Sequence, residues 1–167
     1  MFDPVRICEI LNEEHVDYVV IGGFAAVVHG SSLPTRDVDI VPSRHIENLD
    51  RLARALTRMH AALRISDGSV PVKIDREFLV NMSVIVNLVT DFGEIDLTFM
   101  TPGHAGAYEG WRTDATLQSI GQHVAVVVGS LEDIIDSKQA ANRPKDLRVL
   151  PYLETLREEV QRRNQME

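Results

Sequence analysis

The feature that most restricts the fold of this chain is a four-residue apolar segment, Tyr18–Ile21, that ends directly at Gly22-Gly23. An uninterrupted apolar segment this short, bounded by glycines, is typical of a buried strand, because helices that bury one face are usually longer. The residues that follow, FAAVVH, favour a short helix that ends at Gly30. The pattern therefore predicts a strand and a helix joined by a tight glycine turn.

A second predicted strand, Asp37–Val41, stops at Pro42 and carries two acids. Because side chains alternate between the faces of a strand, Asp37 and Asp39 share one face, and the apolar residues between them point to the core. Carboxylates about 6–7 Å apart at the backbone can converge on a magnesium ion. On these residues alone, two solvent-exposed acids on an edge strand are the simpler interpretation.

A third acid, Asp96, lies on a predicted β-hairpin formed by Ser83–Val89 and Glu94–Phe99. Ile95 and Leu97 share one face of the second strand, and Asp96 lies on the other. An acid on a half-buried strand favours a partner or a metal ion, although a solvent-facing strand surface explains it equally well.

The rest of the chain predicts helices on both sides of the strands. Asp3 and Pro4 begin the first helix, with Cys8 on its core face, and Ser43 caps a long helix that ends near Ala62. Further along, the pattern predicts a short helix within 71–81, a loop over 102–112 and a hairpin of 116–120 and 123–128. Two helices follow, from Ser130 to Ala141 and from Pro144 to Arg163. Asp133 is at the capping-box position of the first of these two helices. The prediction is an α/β (α+β) fold, a mixed β-sheet with flanking N- and C-terminal helices.

Composition excludes several classes of protein. The 167 residues are 44% hydrophobic and contain one cysteine, which is enough for one cored domain and rules out a disulfide framework. The sequence predicts no signal peptide and no span of roughly 20 apolar residues, so we expect a cytoplasmic protein without membrane contact. A net charge of −8 argues against a protein that coats nucleic acid. An arginine stripe (Arg44, Arg51, Arg54 and Arg58) at helical spacing is either a phosphate contact or a solvated face.

Together these motifs resemble a known family. Gly22-Gly23, thirteen further residues, Asp37-Val38-Asp39-Ile40 and then Asp96 resemble the signature of nucleotidyltransferases with the DNA polymerase β-like fold. The segment SLEDIIDSKQAANRPKDLRVLPYLETL is similar to that of small bacterial members, including toxin/antitoxin-type proteins of abortive-infection systems. The resemblance implies one nucleotidyltransferase domain over 1–167, with a core over about 1–100 and a C-terminal hairpin and helices over about 113–163.

The resemblance also implies a metal site. Asp37 and Asp39 would hold two Mg²⁺ ions, with Mn²⁺ as a possible substitute, and Asp96 would share one of them and help to activate an acceptor hydroxyl. Asp146 would assist that activation or simply stabilise a helix N-terminus.

The implied nucleotide contacts come from four residues. Gly22 and Gly23 would cradle the triphosphate of a nucleoside triphosphate (NTP), and Lys138 would contact it. The family often has serine after the first glycine, whereas this chain has Gly23. Either Thr35, or a serine at 31 or 32, would supply the missing hydroxyl, or this contact to the triphosphate is absent.

The implied reaction moves a nucleoside monophosphate from an NTP to an acceptor hydroxyl and releases pyrophosphate. The arginine stripe and the toxin-type resemblance favour RNA, such as a tRNA 3′ end, as the acceptor. The acidic net charge suits a second hypothesis, in which the acceptor is a hydroxyl of a cognate toxin or antitoxin protein. A third possibility is a binding module of the same fold without turnover.

Overall fold

The computed structural model, which describes residues 1–167, contains eight strands and seven helices. The strands are β1 (Tyr18–Ile21), β2 (Asp37–Pro42), β3 (Ala62–Ile65), β4 (Gly68–Val70), β5 (Ile85–Thr90), β6 (Gly93–Thr98), β7 (Thr116–Ser119) and β8 (Ala125–Val128). The helices are α1 (Pro4–Glu13), α2 (Gly22–Val28), α3 (Ile46–Arg58), α4 (Arg76–Val80), α5 (Tyr108–Thr113), α6 (Leu131–Ala141) and α7 (Pro144–Asn164).

All eight strands form one mixed sheet in the order β4-β3-β5-β6-β2-β1-β8-β7. β2 runs antiparallel to β1 and parallel to β6, so that Ile21 pairs with Asp39 and Asp39 pairs with Asp96. The C-terminal hairpin joins the same sheet, because β8 runs parallel to β1. The predicted mixed sheet with flanking helices is confirmed, and it brings the three acids side by side.

The two faces of the central strands differ in the way that the sequence predicted. Val38, Ile40, Ile95 and Leu97 are fully buried on one face. Removing side chains of this kind from water contributes about 1.5–3 kcal/mol each to stability. The register of β2 and β6 is therefore fixed, since a slip by one residue would turn these side chains towards the cleft and the acids towards the core.

Two helix N-caps form as predicted, and one capping interaction differs. The carboxylate of Asp3 accepts the backbone N–H of Arg6 at 3.0 Å, and the hydroxyl of Ser130 accepts that of Asp133 at 3.1 Å. The capping box at Asp133 was a wrong prediction: its carboxylate lies 2.5 Å from Nε2 of His104 instead of returning to the helix start. Cys8 packs in the core as expected, and burial raises the pKa of its thiol to about 12.

The long helix is shorter than predicted at both ends. Ser43 lies before the helix and its backbone N–H donates to Asp17, while α3 begins at Ile46. After Arg58 the chain passes His60, which has a positive φ of 51°, and the polypeptide then enters β3. β3 and β4 were not predicted, because this hairpin at the sheet edge is largely exposed and so lacks the apolar–polar alternation of a half-buried strand.

The predicted loop over 102–112 contains part of a helix, α5. The irregular backbone lies in the first half of that range, where Gly103 and Gly106 have positive φ angles of 98° and 57°. Trp111, 1% exposed, anchors the second half by donating its indole N–H to the hydroxyl of Thr101 at 2.9 Å. Tertiary packing thus forms a helix where glycine content alone favoured a loop.

The arginine stripe forms contacts within the chain rather than a free basic surface. Arg44 precedes α3 and donates to the backbone carbonyls of Val80 and Met82. The other three stripe residues form ion pairs: Arg51 with Asp17 (3.1 Å), Arg54 with Glu14 (3.2 Å) and Arg58 with Glu13 (2.5 Å) and Glu14 (2.9 Å). The stripe therefore mainly joins α3 to the end of α1. None of the seven helices is both long and apolar enough to cross a membrane.

Candidate active site

A cleft of about 870 Å³ opens on the polar face of β2 and β6. Its walls come from α2, the loop before β2, β3, β5, the loop after β6, and the facing ends of α6 and α7. The lining includes all eight site residues predicted from the sequence: Gly22, Gly23, Thr35, Asp37, Asp39, Asp96, Lys138 and Asp146. Residues from five separate segments thus meet in one cavity, although no contact in the structure assigns their roles.

Asp37, Asp39 and Asp96 form the centre of the cleft. Each offers a carboxylate oxygen, and these oxygens lie within 4.8 Å of one another. The grouping follows from the sheet, because the parallel β2–β6 ladder places Asp39 directly beside Asp96 and Asp37 two residues along the same face. Asp96 is 6% exposed, so the site lies at the floor of the cleft.

Asp39 and Asp96 both have raised pKa values. Burial raises the pKa of Asp39 to about 7, with further contributions from the charges of Asp37 and Asp96. Burial also raises the pKa of Asp96, against the opposing effects of Asn87 and Arg64. Closely spaced acids in a low-dielectric site disfavour their own ionised form, and a bound cation reverses that preference.

The glycine pair packs directly against the acidic cluster. Gly22 has a φ of +67°, and a Cβ atom on it would lie 2.4 Å from Oδ2 of Asp39. A Cβ atom on Gly23 would lie 3.0 Å from Oγ1 of Thr35. The absence of side chains at both positions therefore keeps the backbone of the first turn of α2 close to the carboxylates.

Thr35 is the hydroxyl residue that lies in the cleft. Its hydroxyl donates to the backbone carbonyl of Asp37 at 3.2 Å and lies 3.5 Å from that residue's Oδ1. Ser31 instead accepts the backbone N–H of Leu33 at 3.2 Å, within its own loop. Among the alternatives for the missing family serine, Thr35 is therefore the one beside the acidic cluster.

Lys138 and Asp146 face each other across the ends of α6 and α7. The ammonium group of Lys138 lies 3.6 Å from Oδ1 of Asp146, which is 1% exposed. Arg143 donates to the same carboxylate through its backbone N–H (3.2 Å) and through Nε (2.6 Å). Burial acts to raise the pKa of Asp146, but Arg143 and Lys138 lower it overall. Asp146 therefore caps the start of α7 and forms an ion pair with Lys138.

The fold can be compared with solved structures. It superposes on the lincosamide antibiotic adenylyltransferase LnuA, solved with lincomycin bound, with a TM-score of 0.59 and 13% identity over 90% of this chain and 94% of that one. A Thermotoga maritima protein assigned as a nucleotidyltransferase gives a TM-score of 0.49 and 16% identity over 97% and 96% of the chains. No protein-family model and no curated protein sequence matches the chain.

The chain has the nucleotidyltransferase fold. In this nucleotidyltransferase fold, two further residues contact predicted site carboxylates and were not singled out from the sequence. Arg64 of β3 donates to Asp96, and Arg143 donates to Asp146. Arg64 was missed because β3 itself was not predicted. Arg143 stands directly before Pro144, and that position at a helix start was the only available signal.

Proposed function

We propose that this chain is a magnesium-dependent nucleotidyltransferase that moves a nucleoside monophosphate from an NTP to an acceptor hydroxyl and releases pyrophosphate. The observation that carries the proposal is the cluster of three carboxylates, with oxygens within 4.8 Å of one another, on the floor of a large cleft. The shared fold with LnuA supports this class of chemistry.

The acidic cluster fits a divalent metal ion. Asp37, Asp39 and Asp96 offer hard oxygen ligands, which Mg²⁺ prefers, and Mn²⁺ accepts the same donors. The raised pKa of Asp39, caused by burial and by the two neighbouring acids, is the electrostatic imbalance that a cation would relieve. When bound, the metal supplies charge stabilisation at phosphoryl oxygens and favours the ionised form of an attacking hydroxyl.

The remaining cleft residues suit the phosphate chain of the NTP. Gly22 and Gly23 leave room for phosphate oxygens beside the acidic cluster, and Thr35 presents a hydroxyl there. Lys138 and Lys145 line the opposite wall, and their charges act on Asp39. Cations so placed would offset the charge of a triphosphate and orient its α-phosphorus towards an acceptor.

The acceptor is less closely defined by the site. RNA, such as a tRNA 3′ end, stays a prediction, and the internal ion pairs of the arginine stripe remove the argument that the stripe holds a phosphate backbone. Val84, Ile85 and Met100 line the cleft and are 58%, 49% and 54% exposed. This apolar wall favours an acceptor with an apolar surface, either a hydroxyl of a partner protein or a small molecule, the class to which the lincomycin bound by LnuA belongs.

Labelling with each α-labelled NTP, in the presence of Mg²⁺ and a cell extract, tests the proposal. We expect a labelled product with the native protein and none with Asp39→Asn, which keeps the shape of the side chain. Separating the labelled RNA, protein and small-molecule fractions identifies the acceptor. Calorimetry without acceptor provides the second arm: if the protein binds no NTP in the presence of Mg²⁺, the transferase proposal is wrong, and a non-catalytic module of the same fold replaces it.

A further inference from the structure

Arg64 forms the only direct ion pair with a member of the acidic cluster. Its Nη2 lies 3.1 Å from Oδ1 and 3.3 Å from Oδ2 of Asp96, and its Nη1 contacts the carboxylate of Glu94. One guanidinium therefore bridges two acids that are two residues apart on the same face of β6. The side chain of Arg64 is 27% exposed and that of Asp96 is 9% exposed, so the pair is partly shielded from water.

We propose that Arg64 is a resident counter-ion of the metal site, which holds Asp96 in the metal-free protein and gives it up when a divalent cation enters. The inference rests on the proposed function, because it concerns the same carboxylates. It makes Arg64 a positioning residue that sets the metal affinity of the cleft, a role that neither the sequence motifs nor the fold comparison assigns.

Competition for the same oxygens is the first argument. A carboxylate accepts about four hydrogen bonds or metal contacts, and Arg64 approaches both oxygens of Asp96. A cation that bridges Asp96 to Asp39 must approach those oxygens too, since the cluster oxygens lie within 4.8 Å of one another. Because a guanidinium and a divalent cation repel each other, simultaneous contact of both with Asp96 would weaken each interaction.

Glu94 provides the second argument, because it gives the displaced guanidinium a place to stay. Its carboxylate is 41% exposed and already contacts Nη1 of Arg64. Loss of the Asp96 contact therefore leaves Arg64 paired rather than stranded. The hairpin that carries Arg64 is at the sheet edge, where β4 is exposed along its whole length, so a small shift of the side chain meets little packing resistance.

Three variants of the pair give a signed prediction. Arg64→Gln removes the competing charge, and we expect it to bind Mn²⁺ at least about tenfold more tightly than the native protein. Arg64→Lys keeps the charge but loses the two-acid bridge, so its affinity should fall between the two. Glu94→Gln leaves the guanidinium with Asp96 alone, and we expect weaker Mn²⁺ binding.

A double variant separates this mechanism from simple changes of local charge. If Glu94 acts through Arg64, then Glu94→Gln has a much smaller effect in the Arg64→Gln background than in the native one. Arg36→Gln is the matched control, because Arg36 lines the same cleft and forms no ion pair. We expect this control to change Mn²⁺ affinity by less than about threefold, since an exposed and unpaired charge is well screened.

The experiment is calorimetric titration of Mn²⁺ alone into the native protein and the variants at fixed pH and ionic strength, with thermal unfolding curves to verify folding. Tighter binding by Arg64→Gln, with little change in Arg36→Gln, supports the inference. Unchanged or weaker binding by Arg64→Gln overturns it, as does an equal gain in Arg36→Gln. If Arg64→Gln does not fold, the Mn²⁺ affinity of Arg64→Lys decides: it must exceed that of the native protein. If the native protein and Arg64→Gln both bind no Mn²⁺, with or without NTP, the proposed function fails as well. If the native protein binds Mn²⁺ normally and only the variant order is wrong, the inference alone fails.

Discussion

Asp39→Asn should make the metal-free protein more stable, although it removes a residue that we place at the centre of the site. The carboxyl group of Asp39 has a pKa of about 7 in the folded chain, against 3.8 for an unperturbed aspartate, because burial and then the charges of Asp37 and Asp96 oppose its ionisation. Asparagine has nearly the same shape and no charge. The substitution therefore removes the electrostatic penalty and leaves the packing nearly unchanged.

The magnitude and its pH dependence follow from linkage. An acid with a raised folded-state pKa keeps its proton in the folded chain at pH values where the unfolded chain has lost it, so stability falls as pH rises from about 4 to about 7. A shift of about three units corresponds to a penalty of about 4 kcal/mol above that window, as an upper limit. At about pH 8 we expect Asp39→Asn to be more stable by about 2–4 kcal/mol, and near pH 4 we expect almost no difference.

Chemical unfolding in urea, with EDTA present, measures the difference, and the melting temperature should rise by about 2–4 °C for each kcal/mol in a protein of this size. Asp67→Asn, in the exposed turn between β3 and β4, is the control and should change nothing. Mg²⁺ should stabilise the native protein and not Asp39→Asn, because ligands stabilise only the state that binds them. The reasoning is refuted if Asp39→Asn is less stable than the native protein at about pH 8, or if its advantage persists unchanged near pH 4.

Three further predictions concern stability and site geometry. Gly22→Ala combines a strained positive φ with a clash against the carboxylate of Asp39. It should lower the free energy of unfolding by about 2 kcal/mol or more and abolish Mn²⁺ binding in a calorimetric titration. Gly68→Ala is the control: Gly68 has a φ of +136° but faces open space, so the substitution should lower stability less and leave Mn²⁺ binding intact. His104→Gln tests an imidazole whose pKa is raised by a hydrogen bond to Asp136 and by the charge of a second acid. The stability that protonated His104 supplies is present at low pH and lost as pH rises through the raised pKa, so the gap between native and variant melting temperatures should be widest at acidic pH and should close as pH rises above the usual range of histidine. Asn48→Ala should lower the free energy of unfolding in urea by about 3 kcal/mol, because the buried Asn48 amide donates to two backbone carbonyls and accepts one backbone N–H. A loss below about 1 kcal/mol would show that water replaces those hydrogen bonds.

The strand face on which each of the three acids lies could be predicted from the sequence, because strand periodicity determines it. Once β2 and β6 are recognised, alternation places Asp39 and Asp96 on the face opposite to Val38 and Ile95. The parallel pairing of the two strands, which brings the acids side by side, was not predicted from the sequence. Local patterns define which face a residue takes, but pairing partners depend on contacts between distant segments.

The parts that could not be predicted depend on those distant contacts. The sequence gives no sign that Arg58 forms ion pairs, because its partners, Glu13 and Glu14, lie more than forty residues earlier in the chain. Burial of Trp111 stabilises helix α5 in a segment whose glycines favour a loop. Arg64 belongs to an exposed edge hairpin, where neither face carries the apolar pattern that identifies a strand.

The pairing of Ile21 with Asp39, and of Asp39 with Asp96, has a consequence for how such chains diverge. The arrangement of the acids depends on these two strand pairings, which belong to adjacent ladders of one sheet, and on the absence of a side chain at Gly22. Neither pairing fixes the length or the sequence of the segments in between. Loops can therefore lengthen and cores can exchange one apolar residue for another without moving a carboxylate. LnuA shares this fold at 13% identity, so chains of the fold should be compared through their strand pairings rather than through linear motifs.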